Sequence, residues 1–209
     1  TLIGTLAGIA RYPIKSLHPQ PLDRAQVVRD GIEGDRTEAF FVRAGAQRLG
    51  KTYRGKENDH LHLISDAHEA RADAARRGVE VELRNGERFF DDAPISIVLD
   101  RWLEALSQHV GYAVEWQRFR PNLFVRGAGD FDLPETALAG ATLSVGRVRL
   151  VVRAPILRCV VPTYDPYSTD KDPEVLRFVA NQRGNVMGIY CDVTVPGDLR
   201  LGDEVIRNA

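Results

Sequence analysis

Residues 154–166 read Ala154-Pro155-Ile156-Leu157-Arg158-Cys159-Val160-Val161-Pro162-Thr163-Tyr164-Asp165-Pro166, an apolar run that passes into a loop interrupted by prolines. The apolar part predicts a β-strand that ends near Arg158-Cys159, because prolines are rare inside paired strands. A thiol therefore stands beside a cation at the mouth of a loop. A neighbouring positive charge favours the thiolate, which is both a nucleophile and a soft metal ligand. The alternative for Cys159 is a small, packed and inert side chain, the commoner fate of a lone cysteine.

The composition is that of an ordinary globular chain. Its 209 residues are 44% hydrophobic and 27% charged, which suits one domain or two small domains that share a core. The formal net charge of -1 gives no general attraction to nucleic acid or to an anionic membrane, and no apolar stretch is long enough for a membrane-spanning helix. We therefore expect neither partner. The two cysteines, Cys159 and Cys191, cannot build a disulfide framework or an iron–sulfur cluster, so a reducing, cytoplasmic setting is expected.

Short strand-like segments dominate the chain and predict a mainly β or α+β barrel with a few peripheral helices. The strand-like segments include 60–64 and 113–119, and Asn85-Gly86 predicts a hairpin between 79–83 and 87–90. Three helices are predicted. The first covers Asp66 to Arg77 and opens with Asp66 as its cap. The second covers Ile97 to Val110 with Ser96 as its cap, and the third covers Pro173 to Asn181 with Asp172 as its cap. Cys191, Trp102 and Trp116 are predicted to lie in the core.

Several polar residues stand at predicted turns between strands. Lys15 and Ser16 leave a strand end, where an ammonium and a hydroxyl suit a phosphate or carboxylate. Arg36 follows two glycines and is expected to begin a strand, and Arg120 precedes a proline between two strand-like runs. Asn122 offers a donor and an acceptor to the edge of a heterocycle. The alternative for Lys15 is a solvated side chain. For Arg36 it is a surface ion pair in a turn, and for Arg120 it is a salt bridge within the barrel.

Taken together, these elements resemble the MOSC family. That domain occurs at the C-terminus of molybdenum-cofactor sulfurases, a pyridoxal phosphate-related family, and in the amidoxime-reducing molybdenum proteins. The motifs that carry the resemblance are Tyr12-Pro13-Ile14-Lys15-Ser16, Gly34-Asp35-Arg36, Arg120-Pro121-Asn122, Arg158-Cys159, Asp165-Pro166 and Leu201-Gly202-Asp203. The resemblance implies a MOSC-type β-barrel, with an N-terminal segment over residues 1–110 and the MOSC core over residues 111–209. One shared compact unit is the alternative.

The resemblance also implies a binding site for molybdopterin, the organic part of the molybdenum cofactor. Cys159 falls on the position that ligates molybdenum. The positions expected to hold the pterin and its phosphate are Lys15, Ser16, Arg36, Arg120, Asn122 and Arg158. Asp165 and Tyr190 are the candidate catalytic residues beside Cys159, supplying hydrogen bonds or protons.

The implied activity is reduction of an N–O bond in a small N-hydroxylated compound, with oxygen transferred to reduced molybdenum. No ferredoxin-like segment occurs in the chain, so a separate electron-donor protein is expected. Residues 48–55 and 131–135 fit the pattern of the reductase relatives poorly, which leaves the substrate open. One alternative is a carrier of molybdopterin or of a Cys159 persulfide, and another is a binding module without a cofactor. A zinc site at His60, His62 and His68 is a less favoured interpretation, because no fourth ligand is evident.

Overall fold

The computed structural model describes residues 1–46 and 48–208. Its helices are α1 (Ala67–Arg76), α2 (Asp100–Val110) and α3 (Pro173–Gln182). Its strands in chain order are β1 (Leu2–Arg11), β2 (Gln20–Leu22), β3 (Arg24–Val28), β4 (Gly31–Ile32), β5 (Glu38–Ala44), β6 (Glu80–Asn85), β7 (Ile95–Leu99), β8 (Leu123–Gly127), β9 (Thr142–Val145), β10 (Val148–Leu157), β11 (Val186–Val195), β12 (Gly197–Arg200) and β13 (Glu204–Arg207). Within the described residues, no helix has the length and apolar character needed to cross a bilayer.

Seven strands close into a mixed barrel, which confirms the predicted fold class. The order around the barrel is β13-β9-β10-β11-β7-β8-β1, and pairing of β1 with β13 completes the ring. All these pairs are antiparallel except β7 with β8. A parallel pair needs a crossover, and α2 supplies it by lying between the two strands in sequence with Trp102, Leu103 and Leu106 buried. The barrel takes strands from both sides of residue 110.

A second, smaller core lies on the β5–β6 pair. α1 covers this pair, and the two elements bury Phe40, Val42, Ala74 and Val81 together. The segment after β1 links the two cores, because Ile14 forms a bridge with Glu38 at the start of β5. The chain between β1 and β5 therefore runs along the boundary of the barrel and the small core.

Two of the predicted helices are confirmed with their caps. The Asp66 carboxylate accepts the backbone N–H of Glu69 at 2.9 Å, and that of Asp172 accepts the N–H of Glu174 at 2.9 Å. The predicted start of the middle helix is wrong. Residues 95–99 form β7, every residue of which is buried, and the helix begins only at Asp100. A short apolar run suits a buried strand or a helix equally well, and here closure of the barrel decides it.

Other local predictions are also wrong. Asn85-Gly86 does not turn a hairpin, because β6 pairs with β5 and residues 86–94 continue without a strand. The segments at 60–64 and 113–119 contain 3-10 turns at Leu61–Leu63 and Trp116–Phe119 instead of strands. Trp102 and Cys191 are buried as predicted, whereas Trp116 is half-buried and stacks on Phe124.

Candidate functional site

A cavity of about 330 Å³ opens between the barrel and the small core. It is formed by the loop that follows β1, the turn that precedes β8 and the loop that follows β10. The structure brings all but one of the predicted site residues to this cavity, and those residues are Lys15, Ser16, Arg36, Arg120, Asn122, Arg158, Cys159 and Tyr190. Residues more than 140 positions apart in the chain therefore share one space. Asp165 is the predicted residue that does not line it.

The backbone around the cavity is strained. Ser16, Arg36 and Arg120 have φ values of 74°, 48° and 51°, in the left-handed region that non-glycine residues rarely adopt. Among the described residues only one other non-glycine, Asn185, shares this conformation, and asparagine tolerates it best. Each such residue costs about 1–3 kcal/mol and persists where the surrounding structure enforces it, commonly at functional sites. Arg36 thus lies in a turn and does not begin a strand, contrary to prediction.

Tyr12 positions two of the cavity arginines. The guanidinium carbons of Arg36 and Arg120 each lie 4.5 Å from the centroid of its ring. The Tyr12 hydroxyl donates to the carbonyl oxygen of Pro121 at 3.0 Å, and burial raises the pKa of Tyr12 to about 12. The ring therefore remains neutral and offers its face to both cations, an arrangement that is favourable when the site excludes water.

The cavity cations are not equally neutralised. Arg36 pairs with the carboxylate of Asp35 at 2.6 Å, and Lys15 pairs with Asp91 at 2.5 Å. Arg120 has no carboxylate partner among the described residues, since its Nη2 donates to the carbonyl oxygen of Leu17 at 2.6 Å. Burial lowers the pKa of Arg120 to about 10. The guanidinium still carries its charge at neutral pH, but no carboxylate of the described residues lies in direct contact with it; Asp35 and Asp91 act on it only from a longer distance.

Arg158 also has no carboxylate partner among the described residues. Its Nε donates to the carbonyl oxygen of Met187 at 2.6 Å and its Nη1 to that of Phe119 at 2.9 Å, while burial lowers its pKa to about 10. Its Nη2 is buried and has no hydrogen-bond partner among the described residues. Gly188, at φ 92°, makes room for this group, since a Cβ there would lie 3.0 Å from Nη2. Arg120 and Arg158, two guanidinium groups without a carboxylate partner among the described residues, therefore line the same cavity.

Asn122 connects the cavity to the barrel wall. Its Oδ1 accepts from the backbone N–H of Ser96 at 3.2 Å and from the Ser96 hydroxyl at 3.1 Å, and its Nδ2 donates to the carbonyl oxygen of Ala10 at 3.3 Å. The side chain is 1% exposed. Ser96, predicted as a helix cap, is instead a buried residue of β7 that holds Asn122, because the helix starts four residues later.

The two cysteines have different surroundings. Cys159 lies in the loop after β10, is half-buried and lines the cavity. Cys191 is fully buried on β11, and burial raises the pKa of its thiol. Tyr190 precedes Cys191 and lines the cavity, and burial raises the pKa of Tyr190 to about 12. Its hydroxyl therefore keeps its proton and can donate a hydrogen bond into the cavity.

Asp165 has a structural partner. Its carboxylate accepts from Arg118 Nη2 at 3.0 Å and from the backbone N–H of Tyr167 at 2.9 Å. Its carbonyl oxygen lies 2.7 Å from Nε2 of His62. The predicted catalytic position of Asp165 in the cavity is therefore not seen, because Arg118, which sequence reasoning did not select, binds the carboxylate. The described residues contain no cluster of three potential metal ligands, and His62 contacts carbonyl groups instead.

We predict that Asn122→Ala lowers the free energy of unfolding by about 2–4 kcal/mol, because buried polar groups of Ser96 and Ala10 lose their partner. Urea denaturation measures this change. Asn208→Ala is the matched control, since the side chain of Asn208 accepts one hydrogen bond from the described residues, that of the Ser144 hydroxyl, and its loss should cost less than about 1 kcal/mol. Equal losses for the two variants would contradict the assignment of Asn122 as a buried connector.

We predict that Cys159 reacts with iodoacetamide in the folded protein and that Cys191 does not, because only Cys159 reaches a cavity. Peptide mass spectrometry at several pH values measures the labelling of each thiol. In urea both cysteines should react, which controls for detection of the two peptides. Faster labelling of Cys191 than of Cys159 under native conditions would show the prediction to be wrong.

Known proteins resemble this chain in sequence and in fold. The model of the MOSC domain family matches residues 84–206, more than half of the chain. A protein from Caenorhabditis briggsae named molybdenum cofactor sulfurase is 29% identical over 109 residues, which are 50% of this chain but only 15% of that protein's length.

Two solved structures share the fold. The YUAD protein from Bacillus subtilis superposes with a TM-score of 0.58 at 19% identity, over 97% of this chain and 93% of that one. A hypothetical protein superposes with a TM-score of 0.53 at 13% identity, over 100% of this chain and 69% of that one. With the barrel and the extent of the family match, these findings show that the chain belongs to the MOSC domain family.

Proposed function

We propose that the cavity binds the molybdenum cofactor and that the chain reduces N-hydroxylated small molecules. The family membership and the name of the Caenorhabditis relative support a role linked to this cofactor. The observation that carries the proposal is the charge of the cavity. Arg120 and Arg158 have no carboxylate partner among the described residues, Arg158 Nη2 has no partner at all there, and a half-buried thiol shares the space.

The residues fit the chemistry of such a cofactor. A phosphate group is bound by convergent cations and hydrogen-bond donors, which the cavity provides in Lys15, Ser16, Arg120 and Arg158. A buried charge without an opposite charge is costly, so an anionic ligand would relieve two guanidinium groups together. A thiolate is the protein ligand preferred by soft, sulfur-bound metals. The volume of about 330 Å³ lies within the range of small-ligand pockets.

In this proposal each residue has a definite task. Lys15, Ser16, Arg36, Arg120 and Arg158 would hold the pterin and its phosphate, and Cys159 would supply the thiolate that ligates molybdenum. Asn122, whose amide is bound by Ser96 and Ala10, would hold the wall behind them in place. The bound cofactor supplies two-electron redox chemistry that no side chain can perform. Tyr190 holds a proton on its hydroxyl beside the cavity. Reduction of an N–OH group to N–H consumes two electrons and two protons and releases water, and the electrons come from a separate donor protein.

The proposal predicts distinct effects for two substitutions in protein purified from a host that makes the cofactor. Cys159→Ser should remove N-hydroxylamine reduction with a reduced dye as electron donor, while circular dichroism stays unchanged, because oxygen is a poorer ligand for a soft metal. Arg120→Ala should mainly weaken cofactor retention, by about 10- to 100-fold, since it removes a charge-assisted contact. Molybdenum analysis measures retention independently of activity.

Arg177→Ala is the matched control, because Arg177 is an exposed arginine that pairs with Glu174 on its own helix and does not line the cavity. It should leave activity and metal content unchanged. Full activity of folded Cys159→Ser would exclude thiolate ligation as the basis of catalysis. A wild-type protein that holds the cofactor but reduces nothing would contradict the reductase proposal and favour a carrier.

A further inference from the structure

Glu135 is a buried carboxylate that lies behind the cavity and does not line it. It begins the 3-10 turn Glu135–Leu138 and is 2% exposed. Its Oε1 and Oε2 accept from Nη2 of Arg183, which follows α3, at 2.8 Å and 2.7 Å. Oε1 also accepts from the backbone N–H of Gly188 on β11 at 3.1 Å. A buried carboxylate is tolerated when it is paired and hydrogen-bonded, and these bonds join the turn, the end of α3 and β11 at one point.

The contact with Gly188 lies at a β-bulge. The register of β10 against β11 shifts there, so that Met187 and Gly188 of β11 both stand opposite Ile156 of β10. A bulge interrupts the hydrogen bonds between two strands and redirects nearby groups, and bulges are common beside active sites. Because buried backbone groups need partners, the peptide group between Met187 and Gly188 must find them outside the β10–β11 pair.

Two charged side chains bind the two ends of this peptide group. Its carbonyl oxygen, on Met187, accepts from Nε of Arg158 at 2.6 Å, and its N–H, on Gly188, donates to Glu135. A peptide group is planar, so a partner that fixes the direction of the N–H also fixes the direction of the carbonyl oxygen. The carbonyl oxygen in turn holds Nε of Arg158. Glu135 therefore sets the orientation of this guanidinium from behind, through one peptide group.

The charge of Glu135 is matched by a different arginine. Arg183 binds both carboxylate oxygens, whereas Glu135 acts on Arg158 only from a distance. Glu135 can thus hold Gly188 without touching the guanidinium of Arg158, whose Nη2 has no hydrogen-bond partner among the described residues. The arrangement fixes the position of Arg158 and leaves Nη2 available for an anion in the cavity.

We propose that Glu135 is a positioning residue that aims Nη2 of Arg158 into the cavity through the Met187–Gly188 peptide group. The inference rests on the proposed function for the identity of the anionic ligand. Two substitutions separate the reach of Glu135 from its charge. Glu135→Gln keeps an oxygen that can accept the N–H of Gly188 but removes the charge that pairs with Arg183. Glu135→Asp keeps the charge but is one methylene too short for Gly188.

The first readout is exchange of the Nε–H proton of Arg158 with water, measured by 15N NMR in cofactor-free protein and assigned with Arg158→Lys. We expect exchange in Glu135→Asp to be about 10-fold faster than in the wild type, because the peptide group loses one hydrogen bond. Exchange in Glu135→Gln should stay within about threefold of the wild type, since that bond is kept. Arg183→Ala should resemble Glu135→Gln, because it removes the ion pair and leaves the bond to Gly188. Glu104→Ala is the control, because Glu104 is an exposed carboxylate on α2, and it should change nothing.

The second readout is the molybdenum that each protein retains through dialysis after purification from a host that makes the cofactor. Glu135→Asp should bind the cofactor about 10-fold more weakly than Glu135→Gln. Equal proton exchange in these two variants, or faster exchange in Glu135→Gln, would overturn the positioning role and leave Glu135 as the partner of Arg183 alone. Equal molybdenum retention would also overturn it. The expected order of exchange, in a protein that never acquires molybdenum, would support the positioning of Arg158 and contradict the proposed cofactor.

Discussion

Two guanidinium groups, those of Arg120 and Arg158, are buried at one cavity, and their hydrogen bonds within the described part of the chain all go to carbonyl oxygens. Removing a charge from water costs several kcal/mol unless an opposite charge compensates it, and no carboxylate among the described residues forms a salt bridge with either group. Much of the local structure serves to keep them in place. Arg120 has a left-handed backbone, the Tyr12 ring lies beneath it, and Gly188 leaves the space that Arg158 occupies. An anionic ligand would complete this arrangement.

The barrel makes the arrangement possible by bringing distant segments together. Pairing of β1 with β8 places the loop that follows β1 beside the rest of the ring, and the parallel β7–β8 pair sets Ser96 against Asn122. Because Asn122 also binds the carbonyl oxygen of Ala10, one amide joins three parts of the wall. The small core then closes the other side of the cavity through the turn at Arg36. The shape of the cavity and the packing of the barrel therefore depend on the same few polar contacts.

The sequence predicted the barrel class and most of the cavity, because the relevant side chains lie in short motifs at strand ends. It did not predict β7, since an apolar run of five residues followed by a helix has no internal boundary. The hairpin at Asn85-Gly86 failed because β5, which lies far away in sequence, pairs with β6 instead. Asp165 was misplaced for a similar reason: its partner Arg118 is 47 positions away, and only the folded chain shows that the carboxylate is already bound.

The most direct test of the central claim is the structure of the protein purified from a host that makes the molybdenum cofactor. We predict that the cofactor occupies the cavity in contact with the guanidinium groups of Arg120 and Arg158, and that Sγ of Cys159 is bonded to the metal. The account would be contradicted by a cofactor bound elsewhere on the barrel. It would equally be contradicted by a cofactor in this cavity that leaves Nη2 of Arg158 without a partner and Cys159 unbound.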